Sequence, residues 1–233
     1  MKRVLPLLML LAACAPPAPP QPGAASGAAA DRDAYREAYR AAAAAGSAVY
    51  QVDPDASLVA VVVRRAGLAA RLGHNHVVAS RSLEGYAAPG LGRADIAFRV
   101  DRMSIDEAGL LREAGIDTQP SAEAVEGTRR NMLGPVLEAA RYPTVTLHAE
   151  LTPGRQLRAA VTLHGFTRWM TLPGTLEVEA ARLDTSGTVR LKQTDFGITP
   201  FSVGGGLLAV QDELEVRYHI VARRWAPSGH RVQ

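Results

Sequence analysis

Residues 144–164 read TVTLHAELTPGRQLRAAVTLH. From Thr144 to Leu151, Val145, Leu147 and Ala149 share one parity, while Thr146, His148 and Glu150 share the other. From Leu157 to His164 the apolar parity is carried by Leu157, Ala159, Val161 and Leu163. Successive side chains of a strand point to opposite faces, so a period of two predicts strands buried on one side. Pro153-Gly154 between the two runs supplies a turn. The segment therefore reads as an antiparallel hairpin with one apolar face to cover.

The same period extends outward over most of the chain after Tyr50. Ala94 to Asp101 sets Ile96, Phe98 and Val100 against Asp95, Arg99 and Asp101. Leu58 to Arg65 is an apolar, β-branched run, and Val77 to Tyr86 is a further candidate strand. Thr167–Ala180, Thr188–Thr194 and Leu207–Arg223 complete the set; in the last, Leu214, Val216, Tyr218 and Ile220 alternate with polar residues. About eight such strands between Gly/Pro turns predict an all-β fold, either a sandwich or a closed antiparallel β-barrel. Short helical insertions are expected at Asp106–Ala114 and from a Ser121 cap through Asn131, with Pro135 opening another short helix to Arg141.

An apolar face must be buried, and an eight-stranded barrel is wide enough for packed side chains or for one small or elongated ligand. The inward parities are rich in Val, Ala and Leu, and aromatics are only 5% of the chain, which is consistent with spare interior volume. A solid core is the alternative. Phe98, Val100, Val145, Leu147, Val161, Leu163, Val216 and Tyr218 are the candidates for lining such an interior.

The 233-residue chain begins with Lys2 and Arg3, an apolar run from Val4 to Leu11, and Ala12-Ala13. That is the anatomy of a secretory signal and is too short to span a bilayer. Cys14, the only cysteine, follows at once. Leu11-Ala12-Ala13-Cys14 resembles a bacterial lipobox, which implies removal of 1–13, acylation of Cys14 and a membrane anchor. Ala15 in place of an Asp favours the outer membrane, facing the periplasm. Residues 14–48 read as lipidated Cys14, a tether with Pro16, Pro17, Pro19, Pro20 and Pro22, and a short helix from Asp31 to Ala45. At about 3.1 Å per residue the extended part reaches roughly 50 Å. Residues 49–225 form the barrel domain and 226–233 a tail.

The bulk numbers exclude more than they identify. Lys and Arg total 26 against 23 Asp and Glu, and without the leader the net charge falls from +3 to +1. With few aromatics, nucleic acid is not an expected partner. One cysteine permits neither an internal disulfide nor a Cys-based zinc site.

Gly73-His74-Asn75-His76 is the local pattern with the residue types for site chemistry. On a strand, His74 and His76 would share a face and a headgroup or a metal, with His148 and His164 as possible further ligands. A metal-dependent enzyme built on His74 and His76 with Asp195 or Glu84 is one rival reading; a ligand-free structural protein is another. No G-x-S-x-G or H-E-x-x-H occurs. No catalytic residue and no cofactor is therefore assigned.

Seven segments, in order, resemble the YceI-like family. They are Tyr50-Gln-Val52-Asp53-Pro54 with Ser57; Leu83-Glu84-Gly85; Val100-Asp-Arg-Met-Ser104-Ile105; Arg129-Arg130-Asn131-Met132-Leu133; Tyr142-Pro143 with Val145-Thr146-Leu147; His164-Gly165-Phe166-Thr167; and Asp195-Phe196-Gly197-Ile198. The resemblance implies a lipocalin-like antiparallel barrel holding an isoprenoid lipid, such as a polyprenyl quinone or polyprenyl phosphate, without transforming it. Departures fall at Leu83 and Leu147, where the family often has Phe, at Arg130, and in an insertion around Leu110 to Ser121.

Overall fold

The computed structural model describes residues 24–226 apart from Arg155, with side chains from Ala34 onward. The signal segment, Cys14 and the proline-containing stretch lie outside the described residues. Eight long strands form the body. Four of them are broken, the first three being β1a Tyr50–Val52 and β1b Leu58–Val63; β2a His76–Ser80 and β2b Glu84–Ala88; β3a Arg93–Arg99 and β3b Ser104–Ile105. β4 is Thr144–Leu151 and β5 is Leu157–Leu163, as the quoted hairpin predicts. β6a Phe166–Leu172 and β6b Gly174–Val178 follow, then β7 Arg182–Lys192 and β8 Glu213–Arg224. Every pairing is antiparallel.

The hydrogen-bonded order runs β6a, β5, β4, β3, β2, β1, β8, β7, β6b. Its two ends are halves of one stretch of chain, interrupted only at Pro173. β6a bonds to β5 and β6b to β7, so the bend at proline, which has no N–H to give, carries the sheet from one neighbour to the other and closes the barrel. The bend is tight. Gly174 faces Gly187 in the register, and Gly187 faces Tyr218, whose hydroxyl donates to the Pro173 carbonyl at 3.0 Å. A Cβ on Gly187 would meet the Pro173 oxygen at 2.0 Å. Gly187→Ala should therefore cost about 1–3 kcal/mol, the usual range for forced overpacking, read as a lowered denaturant midpoint. An unchanged midpoint would show that the closure does not need this glycine.

The continuous apolar runs of β1b and β2a have a cause in packing. Val61 and Val78 face inward, while Ala60, Val62, Val77 and Ala79 on the outer side are covered by Leu110 and Leu111 of helix α2 (Ala108–Glu113) and by Ile116. A strand buried on both faces loses its alternation. Between β1a and β1b the chain turns through Pro54–Ala56. Ser57 then clasps β8: its Oγ donates to the Val221 carbonyl at 3.1 Å and accepts from the Val221 N–H at 3.0 Å.

Helix α3 (Ala122–Asn131) starts where expected, with Ser121 Oγ accepting from the Ala124 N–H at 3.2 Å. Its end differs from expectation. Gly134-Pro135 does not break the helix; the chain widens into a π-helical turn over Met132–Val136, with the Leu137 N–H bonded to the Met132 carbonyl. Widening accommodates Pro135, which lacks an N–H and clashes in a regular α-turn. No further helix reaches Arg141. The strand expected over Ala94–Asp101 ends at Arg99, and Val100 opens a 3-10 turn, Val100–Arg102.

Helix α1 spans Ala24–Ala44, so it begins seven residues before the expected Asp31 cap. The last proline of the tether is Pro22, and the alanine-rich run after it has high helix propensity. The helix docks on the outside of β2b and β3a through Tyr39, which is fully buried among Val49, Ala88 and Tyr86.

Candidate functional site

The inner faces of all eight strands enclose a cavity of about 370 Å³ whose lining is almost wholly apolar. It runs the length of the barrel, which a twelve-residue strand tilted by about 40° makes roughly 30 Å high. At one end Val52, Ala87, Leu183 and Ala222 are buried and close the lumen. At the other end the lining is more open, with Val63, Thr128, Met132, Phe201 and Val210 half-buried and Asn131 exposed. The mouth lies at that second end, between the α3 cover and the loops before β2a and β8.

All eight inward candidates, Phe98, Val100, Val145, Leu147, Val161, Leu163, Val216 and Tyr218, line this lumen. Val100, Val145 and Val161 are buried, whereas Phe98, Leu147, Leu163, Val216 and Tyr218 are only half-buried. Inward residues of a filled barrel would be sealed; these face open space. Burial pushes the Tyr218 phenol upward, partly offset by a hydrogen bond with Thr185.

The histidines separate. His76 begins β2a and faces the lumen, but His74 lies before the strand and is exposed, with the two rings 6.2 Å apart. The expected shared strand face is thus absent. His148 is on the outer wall with Asp95, and His164 is buried at the β5–β6 turn against Tyr142. The four do not converge, and among the described residues no group of three or more His, Cys, Asp and Glu is placed to hold a metal. Asp195 and Glu84 are exposed side chains away from the lumen lining.

Sequence reasoning missed the true partner of His76. Asp106, buried and held at a φ of +58°, bonds His76 Nδ1 at 2.7 Å through one oxygen and accepts from the Val77 N–H at 2.9 Å through the other. A carboxylate only accepts, so Nδ1 carries a proton toward Asp106, which turns Nε2 toward the lumen side of the ring. Nε2 points toward Thr128 Oγ1, 3.4 Å away, and both residues line the mouth. Gln193, buried and tied to the Gln211 carbonyl, and Asn131 complete this polar rim. Next to it, Arg81 and then Ser104 hold the Glu107 carboxyl below its ordinary value. Arg93, also missed, lines the closed end, stacks on Tyr39 at 4.8 Å and keeps a buried Nε without a hydrogen-bond partner.

A closed up-and-down barrel with a long apolar lumen defines the lipocalin-like class. The YceI-like domain family matches residues 50–222, and the chain belongs to that family. No curated protein matches this chain significantly. Among solved structures it is similar to a polyisoprenoid binding domain from Saccharophagus degradans implicated in plant cell wall breakdown. That likeness has 12% identity and a TM-score of 0.55, covering 76% of this chain and 98% of that one. It is also similar to BcnA of Burkholderia cenocepacia, with 17% identity, a TM-score of 0.50, and 73% and 99% of the two chains covered. At such identities the likeness is one of fold.

Proposed function

We propose that this protein binds an isoprenoid-type lipid, a polyprenyl quinone or polyprenyl phosphate, in the lumen and stores or carries it without transforming it. The observation that carries this reading is the long apolar cavity, closed at one end and open at the other, with most of its few polar side chains gathered toward those ends. Burial stabilises such a chain by on the order of 25 cal/mol per Å² of apolar surface, so affinity needs few polar contacts. Membership of the YceI-like family and the polyisoprenoid binding named for a relative of the same fold support it. Mass spectrometry of organic extracts from protein made in a membrane-containing host tests it. A stoichiometric polyprenyl lipid is expected; an empty protein that also ignores added quinone would refute it.

The headgroup belongs at the mouth, where water and polar partners meet it. His76 Nε2 accepts from a quinol or prenol hydroxyl, and the protonated ring donates to a quinone carbonyl or a phosphate. A hydrogen bond of this kind contributes about 1–1.5 kcal/mol. His76→Ala should therefore weaken binding of a quinone about 5- to 10-fold, by fluorescence titration, while leaving a headgroup-free prenyl hydrocarbon unaffected. Equal losses for both ligands would place the headgroup elsewhere.

The address is part of the proposal: secretion, acylation at Cys14 and an outer-membrane anchor facing the periplasm. The lipobox-like Leu11-Ala12-Ala13-Cys14 supports it. Cys14→Ser should abolish incorporation of labelled palmitate and leave the leader attached. Undiminished labelling would overturn the anchor.

A further inference from the structure

Two loops project beyond the mouth. Residues 64–75 carry the short strand Arg65–Ala66 and the turn Ala70–Leu72, and residues 199–211 carry Ser202–Val203 and Leu208–Val210. They form one three-stranded sheet, with Ala66 opposite Ala209 and Arg65 opposite Val210. The Ala69 N–H bonds the Leu207 carbonyl at 2.9 Å, and a Cβ on Gly67 would meet that carbonyl oxygen at 2.5 Å. The two loops are thus one backbone-bonded tip.

The tip is apolar where a soluble surface is not. Leu68 is 94% exposed, Leu72 70%, Leu207 50% and Val203 44%. Its charges are of one sign. Residues 64–75 contain Arg64, Arg65 and Arg71 with no acidic residue, and residues 196–211 contain no charge at all. Of the carboxylates that flank this second stretch in sequence, Asp212 bonds Thr194 and Glu213 pairs with Arg190, while Asp195 is exposed on the turn before it. The base of the tip is the lumen itself, since Val63, His76, Phe201 and Val210 line the mouth.

Exposed leucines flanked only by arginines match the headgroup region of an anionic bilayer, which takes apolar side chains below and cations at its surface. A protein partner would favour aromatic anchors, and the tip's only aromatic, Phe201, faces the lumen. We infer that this tip docks on an anionic lipid bilayer, inserting Leu68, Leu72, Val203 and Leu207 and placing the mouth of the lumen at headgroup level. An apolar ligand then passes between bilayer and barrel without crossing bulk water. That passage rests on the lipid-binding reading; the docking does not.

The test is depth of insertion, read on the full chain with Cys14→Ser and one new cysteine carrying an environment-sensitive dye. Leu68→Cys and Leu207→Cys report the tip, and Leu91→Cys, 50% exposed on the opposite end, is the control. Vesicles of phosphatidylcholine with and without phosphatidylglycerol carry spin-labelled acyl chains as quenchers and contain no isoprenoid. A retained leader can bind vesicles by itself, so quenching position, not binding, is decisive. On the anionic vesicles the tip labels should shift blue and be quenched while the Leu91 label stays in water. Arg71→Gln should shift the balance from inserted toward aqueous tip labels about 5-fold, the effect of one surface cation. Tip labels that remain aqueous on every vesicle, or a Leu91 label quenched as strongly, would overturn the docking. Insertion by a barrel that binds no isoprenoid would leave docking standing and refute the ligand reading alone.

Discussion

With tryptophan at both Leu147 and Val216, the protein is expected to leave a membrane-containing host with no extractable isoprenoid, yet folded. β4 and β8 are four strands apart on a ring of eight, so these two residues face the lumen from opposite walls. Both are half-buried because the space before them is open. In a filled core such enlargement costs about 1–3 kcal/mol. Here the indoles enter vacant apolar volume and gain burial worth about 25 cal/mol per Å², so the thermal midpoint should hold or rise. Retained lipid at wild-type stoichiometry would mean that the ligand does not occupy this lumen. A collapse in stability would mean that the walls are already in contact, and the single variant Leu147→Trp would then separate crowding from occlusion.

Tyr39→Ala should release helix α1 while the barrel stays intact. The Tyr39 ring is fully buried, stacked on Tyr86 at 5.5 Å, which in turn meets Trp225 at 4.7 Å. Its hydroxyl donates to Asp95 Oδ2 at 2.7 Å, while Asp95 Oδ1 bonds His148 at 2.6 Å. Burial first, and the Asp95 carboxylate second, raise the phenol pKa far above the working range, so it remains a donor. Losing a buried aromatic costs about 3–5 kcal/mol, more than a single helix docked on one wall retains. Trypsin should then cut after Arg36 and Arg40, and the amides of α1 should lose protection while those of β4 and β5 keep it. Tyr39→Phe, which keeps the ring, should lose about 1.5–3 kcal/mol for a hydrogen bond to a charged group. Unchanged protection of α1 in the alanine variant would show that the helix is held by something other than this ring.

The period-two runs at Thr144–Leu151 and Leu157–Leu163 were legible because each strand is wet on one side and apolar on the other. Legibility failed where that condition failed. β1b and β2a are covered on both faces, so their runs show no parity. β7 begins at Arg182, six residues before the expected Thr188, because its first half alternates through Thr185 and Gly187 instead of large apolar residues. The stretch from Leu207 divides at Gln211-Asp212, its first part leaving the barrel for the tip. Asp106 carries no periodic signal at all; its pairing with His76 spans thirty residues and depends on how the β3–β4 insertion folds back.

Alternation along the chain thus determined by itself that strands form, which side of each avoids water, and which residues, Leu147 and Val216 among them, turn inward. That information is local, since a strand's faces follow from its own pleat. Whether eight such faces meet or stand apart is a property of closure: the bend at Pro173, the register that crosses it and the number of strands set the radius. Only the tertiary structure therefore decided that the barrel is hollow, that Asp106 orients His76 at its mouth, and that Tyr39 fastens the leading helix outside.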